Sequence, residues 1–437
     1  MLASPAHHVL LVSPPLRGHA APMLALAEEL VQRGHRVSFA ISAIARDWVD
    51  GTGATWVPWD LAADTAQGKA ELDDTFAQVS DEPVLWRAQR TLLQLVARTY
   101  EPLYRAAQEL YDRLQPDLVV IERGAFAAID AAYAAGLPYV TVSDMIGGLF
   151  GSSPARPRSI TDYPVHMSAL QRVANALLPV VVGPRFAGPF LRIELARRRC
   201  GLRAPVRDVL LGAPMIVAAT DVTELPCPLP ADVRLVGPVL SRREARLDEA
   251  LVDWLDEGAA AGVVYAAFGT LAVPSHALLR SVAQGLARTG QRVLWSLPEL
   301  HRQRLPALPE RIRVEPFVPQ TAVLRHPSVR AYFGHGGTVS THDALLADRP
   351  ILALPFFGNQ HYNAARIVDR GVGLRLDKRR LGPDTVCERL GDLLGNSRYA
   401  EAARRVGQGL RKLRGRDEAA DVIERSMNGA RASLATV

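Results

Sequence analysis

The run from His7 to Ser13 (HHVLLVS) carries no polar residue between Val9 and Val12 and ends against Pro14 and Pro15. A strand with water on one face alternates apolar and polar residues, so an unbroken run of this length belongs to a strand buried on both faces, as in a parallel sheet. Parallel neighbours need a crossover, usually a helix. The sequence supplies one at once. From Pro22, the residues Met23, Leu26, Ala27, Leu30 and Val31 recur at helical spacing; Pro22 suits a first helical position and Gly34 the residue just past the end. RVSFAI (36–41) then reads as the second strand of a βαβ unit.

The pattern repeats. Strand-like runs stand at 117–122 (DLVVIE) and 139–143 (YVTVS), with helical patterns between them. A second block opens at 262–270 (GVVYAAFGT) and continues through a helix near His276–Thr289, then 292–297, 329–337, 350–358 and 372–376. The segment 224–249, rich in proline and charge, separates the blocks and reads as a linker. The expectation is an α/β protein of two facing Rossmann-like domains with parallel sheets: 1–223, the linker 224–249, 250–416, and a C-terminal helix over 417–437 that is free to pack on the first domain.

A chain of 437 residues with 48% hydrophobic and 22% charged residues has enough apolar material for two cores and is not a disordered composition. The net charge of +6 comes mostly from arginine, whose local clusters are short, lack interleaved aromatics and read as solvated surface rather than a nucleic-acid face. Cys200, Cys227 and Cys387 form no CxxC pair or metal-ligand spacing, so free thiols in a reducing, cytoplasmic compartment are expected. The N-terminus lacks the basic and apolar regions of a signal peptide, and no uninterrupted run of spanning length stands out. Asn175–Leu191 comes nearest, broken by three prolines and Arg185; it reads as an apolar site wall or core packing.

Two strand-to-helix turns carry the chemistry. Gly334-His335-Gly336-Gly337 leads from a strand into a helix expected near Ser340, and Gly269-Thr270 ends an earlier strand in the same way. Unpaired backbone N–H groups and the helix dipole make such a junction attractive to phosphate, and glycine lets an anion approach the backbone. A tight turn with a capping serine explains the same residues equally well.

From Phe317 to Gln360 the sequence reads FVPQ…HPSV…FGHGG…ST…DAL…P…LPFFGNQ. This resembles the signature box of the family 1 nucleotide-sugar glycosyltransferases, whose fold is the two-domain arrangement called GT-B. The opening stretch VSPPLRGHAAPMLALAEELVQRGHRVSF and the segment ELPCPLPADVRLVGP resemble the family's first βαβ unit and the approach to its linker. The likeness is weakest over 60–115 and 145–215, where such enzymes differ by acceptor. It implies that Phe317 stacks on the base and that Gln320, with Val318 beside it, contacts base or ribose. Asp343, one methylene shorter than the usual glutamate, would hold the ribose hydroxyls. Thr270, His335, Gly336, Gly337 and Ser340 would bind the diphosphate, with Gly18 lining the same cleft. Asn359-Gln360 stands where relatives carry Asp-Gln or Glu-Gln on the sugar, and Val339 where plant members have asparagine.

An acceptor hydroxyl must lose a proton as it attacks the anomeric carbon, and histidine suits that role. His19, in the loop after the first strand, falls at the family's catalytic Gly-His. Glu122, at the end of a later strand, is the candidate partner that would orient it; on the residues alone, a solvent-facing strand-end carboxylate is an equal reading. No Asp-x-Asp occurs, so no metal is expected. The implied function is inverting, metal-independent transfer of a hexose, glucose from UDP-glucose, to a small apolar natural-product aglycone. A dTDP-deoxysugar donor, an enzyme acting on the donor alone, and a catalytically degenerate binding protein are the alternatives. Neither turn is a GxGxxG, which argues against a dinucleotide oxidoreductase.

Overall fold

The computed structural model describes residues 6–59, 66–147, 153–243 and 245–434. Two fully parallel sheets organise it. The first contains β1 (His8–Val12), β2 (Arg36–Ile41), β3 (Thr55–Pro58), β4 (Leu118–Glu122), β5 (Tyr139–Ser143), β6 (Met215–Val217) and β7 (Val233–Leu235). Their order across the sheet is β3-β2-β1-β4-β5-β6-β7. The second contains β8 (Val263–Ala267), β9 (Arg292–Ser296), β10 (Ile312–Glu315), β11 (Val329–Gly334), β12 (Ile351–Ala353) and β13 (Gly373–Arg375), in the order β10-β9-β8-β11-β12-β13. Val233–Leu235 lies inside the segment read as linker, yet it pairs with β6 as the edge strand of the first sheet. Three residues between prolines are too few to show a strand pattern.

Side-chain alternation along the strands builds a core on each face. In β1, Val9 and Leu11 join the cluster holding Leu26, Leu30 and Ile423, while Leu10 and Val12 join the one holding Tyr100, Tyr111 and Ala128. The last helix, Gly415–Leu434, therefore lies on the first sheet through Ala419, Ala420 and Ile423. A charge network secures it. Buried Glu29 accepts from Arg33 at 2.9 Å and from Arg242 and Arg416 at 3.0 Å, and Arg33 reaches Asp421 at 2.7 Å and Glu424 at 2.8 Å. The chain crosses between the sheets once after β7 and once before this helix, and the two crossings touch. A Cβ on Gly415 would lie 2.2 Å from the Pro238 carbonyl oxygen, and one on Gly237 2.7 Å from Leu413.

Two helices differ from expectation. The first begins at Arg17, not Pro22, so Pro22 lies inside it and His19 sits in its opening turn rather than in a loop. Pro22 has no N–H to give the Gly18 carbonyl, so the helix lacks one backbone bond there. Asn175–Leu191 forms the middle of a continuous helix, Ala169–Arg199, with all three prolines inside it. It is not a core element. Asn175, Val182, Pro189 and Ala196 face inward, whereas Leu170 (80% exposed), Val173, Leu177 and Val180 (73% exposed) face out. This is the one described helix long and apolar enough to cross a membrane by length and composition. It is held to the first domain by buried Arg197, which grips Asp130 at 2.9 and 3.1 Å.

One element crosses the cleft. The helix Ala66–Asp81 follows β3 of the first sheet but places Phe76 and Val79 in the core of the second domain, with Phe76 5.7 Å from Phe357. Ser80 and Asp81 accept from the backbone of Val273 and Ser275 at 3.0 Å each, and Lys378 donates to the Ser80 carbonyl at 2.8 Å.

Candidate active site

In an open parallel sheet, ligands bind beyond the carboxyl ends of the strands where the strand order reverses. The first sheet reverses between β1 and β4, and the second between β8 and β11. His19 follows β1 and Glu122 ends β4; Gly269-Thr270 follows β8 and His335-Gly336-Gly337 follows β11. Topology alone thus brings the two halves of each candidate site together.

At the first reversal, His19 Nδ1 stands 2.9 Å from Glu122 Oε1. The other oxygen, Oε2, accepts from the backbone N–H of Gly124 at 2.7 Å. Glu122 is 3% exposed, so it is not a solvated strand-end carboxylate; the turn fixes it and aims it at His19. Burial works against charge on His19, but the Glu122 carboxylate, and beyond it Asp144, outweighs that and raises the pKa to about 9. With Nδ1 engaged, Nε2 is the nitrogen left to meet a ligand.

At the second reversal, the helix Thr338–Leu346 starts directly after Gly337, two residues before the expected start, and no side chain caps it. Its first N–H groups are open to an anion. The His335 ring packs into a slot that only glycine leaves: a Cβ on Gly337 would lie 2.4 Å from Nε2 and one on Gly269 3.1 Å from Cε1. Gly269 and Gly336, with φ of 75° and 80°, also hold left-handed turns. Burial lowers the His335 pKa to about 4, so the ring is neutral near pH 7 and offers one N–H rather than a positive charge. Thr270 is exposed at the turn after β8.

The remaining candidates differ in what they can offer. Phe317 is 65% exposed, a free ring face, while neighbouring Val318 is buried and anchors the loop rather than presenting a side chain. Arg17 of the first domain lies over Trp48 at 4.0 Å and over Phe317 at 5.8 Å. Gln320 donates to Asp343 at 2.8 Å and to Ser340 at 3.4 Å, so these three form one group. Burial raises the Asp343 pKa to about 6, with the Gln320 bond opposing it. Gln360 uses its carbonyl oxygen internally, accepting from Phe356 at 2.9 Å and Phe357 at 3.3 Å, which leaves only its NH2 for a ligand.

Residues that the sequence reading passed over complete the cleft. Asp144, just past β5, accepts from Asn359 Nδ2 at 3.1 Å, and the same NH2 donates to Thr338 at 3.1 Å. Asn363 braces the turn through the Gly336 carbonyl at 2.9 Å and Thr338 at 3.1 Å. His342 meets Thr220 across the domains at 3.2 Å. Only Asn363 left a trace in the sequence, four residues after Asn359 on one helix face.

A family model described as "UDP-glucoronosyl and UDP-glucosyl transferase" matches residues 123–412, well over half the chain. The chain belongs to this family. Among its relatives, 4'-demethylrebeccamycin synthase of Lentzea aerocolonigenes is 27% identical over 434 residues, covering 95% of this chain and 98% of the relative. UDP-glucuronosyltransferase 2C1 of Oryctolagus cuniculus is 27% identical over 319 residues, 69% of this chain and 62% of the relative. Anthocyanidin 3-O-glucosyltransferase of Zea mays is 41% identical over 121 residues, 26% of each. The match thus spans less than two thirds of the rabbit and maize relatives and nearly all of the Lentzea one. Among solved structures, the glycotransferase of kitacinnamycin superposes with a TM-score of 0.69 at 22% identity, covering 96% of this chain and 99% of that one. The calicheamicin glycosyltransferase CalG4 gives 0.65 at 22% identity, covering 97% and 99%. At such identities the likeness is one of fold, and it is the GT-B fold. Within this glycosyltransferase family member, the family match begins one residue after Glu122 and takes in the second reversal, while His19 lies outside it.

Proposed function

We propose that the protein transfers a hexose, glucose from UDP-glucose, to a hydroxyl of a small, largely apolar acceptor, with inversion and without a metal ion. The observation that carries this reading is the His19–Glu122 pair at 2.9 Å, with Asp144, whose charge acts on His19, bonded through Asn359 to Thr338 at the helix start across the cleft. A base at one end of that path and an anion site at the other leave the sugar between them. His19 Nε2 takes the acceptor proton as the acceptor oxygen bonds to the anomeric carbon from one face. The bond to the diphosphate oxygen breaks on the opposite face. The leaving diphosphate is received by the open N–H groups of Thr338–Leu346 and the neutral His335 donor. Phe317 supplies a ring for the base, and the Gln320–Asp343–Ser340 group lies beside it for the ribose.

The relatives 4'-demethylrebeccamycin synthase and anthocyanidin 3-O-glucosyltransferase, by their names, support an aglycone acceptor. Free Cys200, Cys227 and Cys387 support a reducing, cytoplasmic setting. The test is calorimetry with UDP, dTDP, their glucose conjugates and NAD, followed by transfer assays on phenolic aglycones with and without EDTA. Binding of one nucleoside diphosphate series, a β-glucoside product unaffected by EDTA, and loss of turnover in His19→Ala are expected. A folded protein that binds none of these ligands overturns the reading.

A further inference from the structure

Asn359 occupies the end of the turn that follows β12, directly over the start of the helix Thr338–Leu346. Both hydrogens of its NH2 group are spent, one on Thr338 Oγ1 and one on Asp144 Oδ2, at 3.1 Å each. A primary amide has two donors and no more. The Asn359 side chain therefore has only its carbonyl oxygen left, and cannot donate to a sugar oxygen.

Asp144 is placed differently. It sits just beyond β5, half-buried, on the first-domain side of the cleft. A carboxylate has about four acceptor positions, and the bond from Asn359 occupies one. Its neighbours are the two ends of the proposed reaction path. It is close enough to His19 to favour the charged ring, and it is bonded to the residue that braces the diphosphate helix. Arg123, whose guanidinium donates to the carbonyls of Met145 and Ile146 at 3.3 Å, holds the backbone of this loop in place. The space between His19 and Thr338 is where a transferred hexose must lie, and a hexose presents hydroxyl donors.

We propose that Asp144 is the carboxylate that reads the sugar of the donor, supplied by the first domain and aimed by Asn359 from the second. This deepens the proposed glycosyl transfer and rests on it. The pairing explains why an amide stands at 359. An aspartate there would set two carboxylates about 3.1 Å apart, and like charges so close cannot both stay ionised. It also makes sugar recognition conditional on cleft closure, because the two halves of the pair come from different domains.

The closing experiment separates the sugar from the nucleotide. UDP and UDP-glucose binding, and kcat and KM for UDP-glucose, are measured for the wild type, Asp144→Ala, Asp144→Asn, Asn359→Asp and the double exchange Asp144→Asn/Asn359→Asp; dTDP and dTDP-glucose are run in parallel. Loss of a charge-assisted bond predicts that Asp144→Ala weakens the glucose conjugate about tenfold to a hundredfold while binding of the bare nucleotide stays within about twofold. Asn359→Asp is expected to be the poorest single variant. The double exchange, which restores one amide and one carboxylate in reversed positions, should recover at least about tenfold over it. A wild type that binds UDP, with variants that lose UDP and UDP-glucose equally, overturns the sugar-reading role and leaves an interdomain latch. Unchanged kinetics in Asp144→Ala overturn it outright. A wild type that binds none of the four ligands overturns this assignment together with the glycosyl-transfer reading.

Discussion

His19 carries its proton well above the usual histidine range because Glu122 holds it there, with the pKa raised to about 9. Only the neutral ring accepts a proton, so kcat/KM should rise with pH through an inflection near 9 rather than near 6.5. Glu122→Gln removes the charge that raises the pKa. The inflection should then move to lower pH, while the maximal rate falls by about 10²-fold or more as the ring loses its orienting acceptor. A pH–rate profile of both proteins checks this. The same pair has a stability signature. A folded pKa above the unfolded 6.5 stabilises the protein fully below pH 6.5 and loses that contribution as pH rises through about 9. At the other reversal, Gly337→Ala would drive a methyl to 2.4 Å from His335 Nε2. The ring must leave its slot, and UDP binding, read by calorimetry, should weaken by about tenfold or more.

Among elements, the helix Ala169–Arg199 shows how packing and not propensity decides stability. Arg197 is buried against Asp130, so Arg197→Ala leaves that buried carboxylate without its counter-charge, held only by the Tyr100 hydroxyl, and should cost about 3 kcal/mol in urea unfolding. Leu170→Ser and Val180→Ser, on the outer face, should stay within about 0.5 kcal/mol. This helix also marks where the sequence was hardest to read. The strands β1, β4 and β8 announced themselves as unbroken apolar runs between turns. Ala169–Arg199 is apolar on both faces and holds three prolines, so neither periodicity nor helix-breaking rules pointed to it. The Gly-His and Gly-His-Gly-Gly turns were legible because their residues are contiguous. Asp144 was not, because its meaning comes from Asn359, 215 residues away. The place of Pro22 was misread because a proline is also found inside a helix, where it removes one backbone donor.

For the whole molecule, the last helix matters more than its position suggests. It covers one face of the first sheet, and Glu29 gathers Arg33, Arg242 and Arg416 around its start. Glu29→Ala should lower the thermal midpoint and cost on the order of 2 kcal/mol, since three guanidinium groups lose their shared acceptor. Nucleotide affinity, which the proposed function assigns to the other domain, should not change; thermal melts with and without UDP separate the two effects.

The two crossings between the sheets, in contact where Gly237 and Pro238 meet Leu413 and Gly415, have a mechanical consequence. A single tether is a swivel and lets one body twist, tilt and slide against another. Two segments side by side resist twist, and the helix Ala66–Asp81, anchored in the second core by Phe76 and Val79, adds a third tie. These ties fix the register of the two bodies in which Asp144 meets Asn359 and Arg17 lies over Phe317.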